Sequence, residues 1–420
     1  MHSLKNAKAR FVANDILHRR SSSAVIDSDG DHFPLLGDEA QPRHQKASRI
    51  LLTSIYASTK VILTSNYVNA LLVFVPLGIL AGAFHCNPIA VFALNFLAII
   101  PLASLLSFAT EELATKVGQT LGGLLNASFG NAVELIISIV ALARGEIRIV
   151  QTSMLGSILS NLLLVLGMCF FIGGIKYPEQ QFNMTVAQAM NSLLAVATSS
   201  LFIPAAYVAS VPKELDTERQ ILILSRGTSI ILLLVYVCYL VFQLKTHTAL
   251  YEPQEEVEQQ ESSISPWVAA NLLALVTVVV AVCAEYLVGS IDALVTRSGM
   301  SKTFVGLILI PIVGNAAEHV TAIVVSIHNK MDLAVGVAIG SSMQIALFMT
   351  PFLVVLGWIL GQPMSLYFQT FETAIMFISV FIVGTLIQDG KSNYLEGILL
   401  MSMYAIIAVA FYLYPDNVSL

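Results

Sequence analysis

Gly130-Asn131-Ala132-Val133-Glu134 sits inside the apolar run LLNASFGNAVELIISIVAL, and 184 residues later the chain writes it again as Gly314-Asn315-Ala316-Ala317-Glu318. Each copy is followed, 26 positions after its first Gly, by a Gly-Ser pair, Gly156-Ser157 and Gly340-Ser341. Two motifs recurring at one offset mark an internal duplication. Each copy places a carboxylate in sequence that otherwise reads as lipid-buried, where an ionisable group is costly and usually lies on an ion path. A pair of such carboxylates matches the charge of one divalent cation.

Around the motifs the chain is 56% hydrophobic and 11% charged, with mean hydropathy +0.79. A soluble domain is about a quarter charged. The apolar runs are roughly 17 to 25 residues long, the length at which a helix crosses a ~30 Å hydrocarbon core, and they lack the alternation of a membrane barrel. The expected fold is an all-α polytopic membrane protein of about eleven transmembrane helices, at 69–85, 88–108, 121–143, 149–173, 186–209, 222–243, 266–289, 303–327, 332–360, 370–388 and 394–414.

Residues 1–66 carry Arg and Lys through Ser, Asp, Gly and Pro without a signal-peptide apolar region, and read as a largely disordered tail. Within it, 44–66 is mildly amphipathic, suited equally to a membrane surface or a solvated linker. A leading helix (67–86) then precedes two sets of five spans, 87–243 and 265–420, separated by an acidic linker at 244–264. Five is odd, so the second set enters the membrane from the opposite side. Inverted repeats of this kind put the substrate at the bilayer midplane between the halves. Arg43, Lys46, Arg49 and Lys60 near the first span favour a cytosolic N-terminus, although the remaining loop charges do not discriminate. Cys86, Cys169, Cys238 and Cys283 are scattered without a CxxC, so they read as packing residues rather than a disulfide or zinc framework. No dense basic patch points to nucleic acid.

Three positions apart on a helix, Asn131 shares a face with Glu134, as Asn315 does with Glu318. Gly130 and Gly314 directly precede these pairs, and Gly122-Gly123 and Gly306 lie upstream, where backbone can unwind and offer carbonyl oxygens. Ser157 and Ser160 in one half match Ser341 and Gln344 in the other at the same offset. The donors are all hard oxygens, which suits calcium or manganese rather than copper or zinc. If the cation leaves, two bare carboxylates close together in low dielectric cannot both stay ionised, so such a site holds either a metal or protons. A gate that moves only when the site is neutral makes that competition an exchange.

The doubled GNxxE motif, its second copy continuing as Glu318-His319, the Gly-Ser partners and the acidic central loop resemble the cation/proton exchanger (CAX) family of the calcium/cation antiporter superfamily. LLNASFGNAVELIISIVAL, QTSMLGSILSNLLLVLG and KTFVGLILIPIVGNAAEHVTAIV look most like the fungal vacuolar calcium/proton exchangers, and the likeness runs from about Leu71 to Pro415. The resemblance implies one leading span plus two inverted five-helix repeats, and a multi-pass protein of the vacuolar membrane that moves cytosolic calcium inward against outgoing protons. It assigns cation and proton binding to Glu134 and Glu318, with Asn131, Asn315, Ser157, Ser160, Ser341 and Gln344 in support. Calcium and protons are then transported substrates rather than cofactors. Manganese affinity and oligomeric state stay open.

Glu111 and Glu112 close the second span and Glu285 sits in the seventh, so they are candidates for cation entry or a proton pathway. Ordinary helix-end charges are the competing explanation for the first two. His319 either shuttles protons beside Glu318 or packs, and Ser160 with Asn161 can also serve as polar glue between helices. Glu252, Glu255, Glu256, Glu258 and Glu261 form an acidic strip that either gathers cytosolic calcium or is a solvated tether. The rival function is a sodium-driven calcium exchanger of the same architecture. A passive channel is disfavoured because a high-field two-carboxylate site would hold a divalent ion too long. No HExxH, P-loop or nucleophile elbow suggests an enzyme.

Overall fold

The computed structural model describes residues 59–117, 119–210, 217–251 and 264–415. Most of the tail and the acidic strip from Glu252 to Glu261 lie outside the described residues. All eleven expected spans are helical. A 3₁₀ turn (Tyr67–Val73) leads into α1 (Phe74–Ala83), followed by α2 (Pro88–Val117), α3 (Gln119–Phe129), α4 (Ala132–Ala143), α5 (Ile147–Lys176), α6 (Met184–Ser210) and α7 (Thr217–Thr246). The second half is α8 (Pro266–Gly289), the short α9 (Ile291–Ser298), α10 (Lys302–Gly314), α11 (Ala316–Ile327), α12 (Met331–Leu360), α13 (Thr370–Leu386) and α14 (Tyr394–Leu413). The halves thus run in the same order, with the α3/α4 pair matched by α10/α11 and α5 matched by α12.

Among the described residues, seven helices are long and apolar enough to cross a membrane, or eight if the bent pair α10/α11 is one span. Tyr67–Ala83, Ala132–Ala143 and Thr370–Leu386 are shorter apolar helices. Two expectations need correcting in detail. The second span runs on from residue 108 to Val117, carrying Glu111 and Glu112 inside the helix rather than past its end. The third and the eighth are each two helices, because Gly130 and Asn131 leave helical geometry between α3 and α4, and Asn315 does so between α10 and α11.

Small residues set the closest approaches. A Cβ on Gly156 of α5 would collide with the Leu307 carbonyl and the Pro311 ring of α10, and one on Gly306 of α10 with the Thr152 hydroxyl of α5. The two halves therefore cross backbone to backbone through these glycines, as tight transmembrane helix pairs do. The leading helix α1 docks on α2, where the Asn95 side-chain amide donates to the Gly78 carbonyl at 3.1 Å. Cys169 and Cys283 are buried, while Cys86 and Cys238 are exposed.

Four π-helical turns interrupt the long helices, at Ser160–Val165 in α5, Phe242–Thr246 in α7, Val305–Leu309 in α10 and Ile345–Met349 in α12. Two of them have a cause in the sequence. Pro311 and Pro351 would clash with the carbonyls four residues back, Leu307 and Leu347, and both carbonyls lie in π turns, where the wider turn relieves the crowding. The turns in α5 and α12 begin at Ser160 and just after Gln344. Single π turns often sit at functional positions.

Candidate cation site

The break in each motif decides the geometry. Asn131 and Asn315 are the residues before α4 and α11, which puts Glu134 and Glu318 in the first turn of a helix. There the free N–H groups and the positive end of the helix dipole tolerate an anionic side chain. The preceding helices, α3 and α10, end at the same place, where the Gly130 and Asn315 N–H groups still close the last turn on the Asn126 and Pro311 carbonyls. In the second half the axis turns by 55° across the break.

The two motifs meet. The Glu134 side chain lies against the Gly314 backbone, so that a Cβ on Gly314 would stand 3.1 Å from Glu134 Oε1 and 3.2 Å from its Cγ. The Asn131 side-chain N–H donates to Gln344 Oε1 at 3.0 Å, and that of Asn315 to the Ser157 carbonyl at 3.5 Å, each bond joining one half to the other. Ser341 Oγ donates to Glu318 Oε1 at 2.8 Å. Ser160 Oγ lies 3.3 Å from His319 Nε2. All eight residues expected to hold the cation are thus placed around the crossing of α4, α5, α11 and α12.

The oxygens left over indicate what the site lacks. Asn131 Oδ1, Asn315 Oδ1, Ser157 Oγ and Glu318 Oε2 are buried without a hydrogen-bond partner. Such atoms are rare in folded proteins, because an unmet buried acceptor costs about 1–3 kcal/mol. These four fall on residues of the two motifs and of the Gly-Ser partner, and they are hard donors of the kind a divalent cation takes. Glu134 is 5% exposed and Asn315 fully buried, whereas Glu318, Ser341 and Gln344 are partly exposed. Among the described residues no three His, Cys, Asp or Glu cluster as a metal site, here or elsewhere, so the donors at this centre are two carboxylates with amides and hydroxyls.

The entry candidates fare differently. Glu285 is ion-paired with Arg144, its Oε1 also accepting from Arg144 Nε at 2.9 Å. Glu112 Oε2 accepts from the Ile264 N–H at 3.2 Å and so ties α2 to the chain leading into α8. Glu111 is exposed on α2. Of the four entry or proton-path candidates, His319 is the one bonded to a residue of the central site, Ser160. Sequence reasoning also missed Glu372, which is fully buried at the start of α13 and paired with Arg148. Its signal was present in Gln369 and Glu372, which form a capping box.

Gly314→Ala is expected to press the new methyl on the Glu134 carboxyl and displace it by a few tenths of an ångström. The calcium KM should rise several-fold while the melting temperature holds. An unchanged KM would show that Glu134 has no fixed position to lose.

A bundle of membrane-length helices with unpartnered polar groups where its two motifs meet defines an integral membrane protein with a polar centre. Comparison with known families is specific: the sodium/calcium exchanger protein model matches residues 87–245 and 268–413, and the chain belongs to that family. It is 56% identical to a vacuolar calcium ion transporter of Schizosaccharomyces pombe over 388 residues, covering 92% of this chain and 94% of that protein. It is also 44% identical over 369 residues to vacuolar cation/proton exchanger 2 of Oryza sativa, covering 86% and 84%. Among solved structures, native YfkE superposes with a TM-score of 0.71 at 38% identity, covering 82% of this chain and 98% of that one.

Proposed function

We propose that the protein is a secondary antiporter that carries calcium from the cytosol into the vacuole in exchange for protons. The observation that carries this reading is the set of partnerless oxygens on Asn131, Ser157, Asn315 and Glu318 beside Glu134. The names of the fission yeast and rice relatives, a vacuolar calcium ion transporter and a vacuolar cation/proton exchanger, agree with it.

The mechanism follows from charge. Glu134 and Glu318 neutralise one divalent cation, with the amide and hydroxyl oxygens completing its shell. When the cation departs, protons must replace it, because two bare carboxylates in this enclosure would repel at short range. Only a neutralised site lets one half move against the other, so metal and protons travel in opposite directions. The two halves are residues 87–243 and 265–420, inverted about the midplane, with the N-terminus cytosolic; the acidic strip Glu252–Glu261 then faces the cytosol. Manganese is a second cation that the same oxygens accept.

Uptake of calcium into proteoliposomes under an imposed pH gradient tests this. Acid inside should drive uptake and a sodium gradient alone should not; the reverse outcome would replace protons with sodium as the driving ion. Asn131→Ala and Asn315→Ala should each raise the calcium KM several-fold with kcat largely kept, since each removes one neutral oxygen. If neither variant moves KM, the amides do not face the ion.

A further inference from the structure

The turn joining α4 to α5 reads Arg144-Gly145-Glu146-Ile147-Arg148, and each of its charges is paired with a different element of the other half. Arg144 holds Glu285 near the end of α8. Glu146 holds Lys302 at the start of α10, 3.2 Å away. Arg148 holds Glu372 at the start of α13 and also donates to Thr303 Oγ1 at 3.2 Å. Three ion pairs from five residues therefore staple the first half to the second on one face of the bundle.

The matching turn between α11 and α12, 184 residues on, shows that backbone shape does not require these charges. It reads His328-Asn329-Lys330-Met331-Asp332, and it has the same conformation. Gly145 and Asn329 both have positive φ, 77° and 60°. The backbone bonds also coincide, Glu146 N–H to the Ala141 carbonyl and Lys330 N–H to the Val325 carbonyl. Yet the second turn meets the first half through hydrogen bonds alone among the described residues. Asn329 Oδ1 accepts from the Gln180 side chain at 2.9 Å, and Asp332 accepts from the Asn183 N–H. His328 bonds only within its own helix, to the Val324 carbonyl. The first face is clamped by three such pairs, one of them buried; on the other, a single exposed pair outside the turn, Lys391 with Glu179 at 2.8 Å, joins the halves.

Burial grades the three pairs. The side chains of Arg144 and Glu285 are 40% and 50% exposed, those of Lys302 and Glu146 31% and 28%, and that of Glu372 is fully buried. Exposed ion pairs are weak and break readily, whereas a buried hydrogen-bonded pair persists. Lys302 has a second carboxylate in its own half, Asp292, so releasing Glu146 does not strand its charge.

We propose that Arg144–Glu285 and Glu146–Lys302 form a latch, pivoting on Arg148–Glu372, that closes this face of the transporter at rest and opens once in each cycle. The proposal rests on the antiport reading above, whose orientation makes this the lumenal face. It explains why only one of two matching turns has its charges paired across the halves: the two faces need unequal locks if the empty protein is to wait open to the other side.

Glu146→Cys with Lys302→Cys, in a Cys86→Ser/Cys238→Ser background, can be joined by a reducible bis-thiol reagent. In purified protein, calcium should change the joining rate at least several-fold, because the latch opens only during the cycle. Joining should lower calcium uptake at least ten-fold, and reduction should restore it. A rate indifferent to calcium and pH, failure to join at all, or full uptake with the pair joined would each overturn the latch. The charge swap Glu146→Lys with Lys302→Glu should retain uptake better than Lys302→Glu alone, which sets three carboxylates together. Failure of the antiport reading shows separately, as absent uptake by the parent protein before any reagent is added.

Discussion

Glu134→Gln and Glu318→Gln are each expected to abolish proton-driven calcium uptake, a loss of at least 100-fold, while the purified protein melts at the parent temperature. The amide keeps the shape of the carboxyl, so packing against Gly314 survives in the first variant and the acceptor for Ser341 survives in the second. What disappears is charge. With one carboxylate left, a divalent cation is only half neutralised in a region where an uncompensated charge is costly. The remaining group can trade at most one proton for it. Removing the second charge should therefore end exchange rather than weaken it, which separates these residues from Asn131 and Asn315. Uptake in reconstituted vesicles and a melting curve in detergent decide the matter, and transport by both single variants would remove the carboxylate pair from the mechanism.

Much of the fold was legible because duplication and hydropathy are written in the sequence itself. The offset of 184 residues aligned α4 with α11 and α5 with α12, and it paired Ser157 with Ser341 and Ser160 with Gln344 around one centre. The break at Gly130-Asn131 was foreshadowed by the glycine, though the sequence reading drew one continuous span there. Less visible were features that depend on which helices become neighbours. Glu285 reads as a lone carboxylate in apolar sequence, because its partner Arg144 is 141 positions away. Glu372 sits in an apolar run and was passed over, since nothing local announces Arg148. The π turns before Pro311 and Pro351 could have been inferred from proline sterics, whereas the one at Ser160–Val165 has no such cue.

The second large effect concerns the pair that sequence reading missed. Arg148→Met is expected to destabilise the protein by about 3–5 kcal/mol, because it removes the partner of a fully buried carboxylate and leaves that charge in place. Glu372 would retain the Gln369 N–H, which donates to its Oε2 at 3.1 Å, but one backbone donor does not offset a lost guanidinium. Thr303, at the start of α10, would lose its bond to Arg148 as well. The double variant Arg148→Met with Glu372→Gln should recover most of the loss, since an uncharged amide can keep the capping geometry without stranding a charge. Melting of the two variants and the parent in detergent, read as a double-mutant cycle with Glu372→Gln, isolates the coupling. If Arg148→Met melts with the parent, then the guanidinium is not what holds α5 to α13, and the pivot of the latch lies elsewhere.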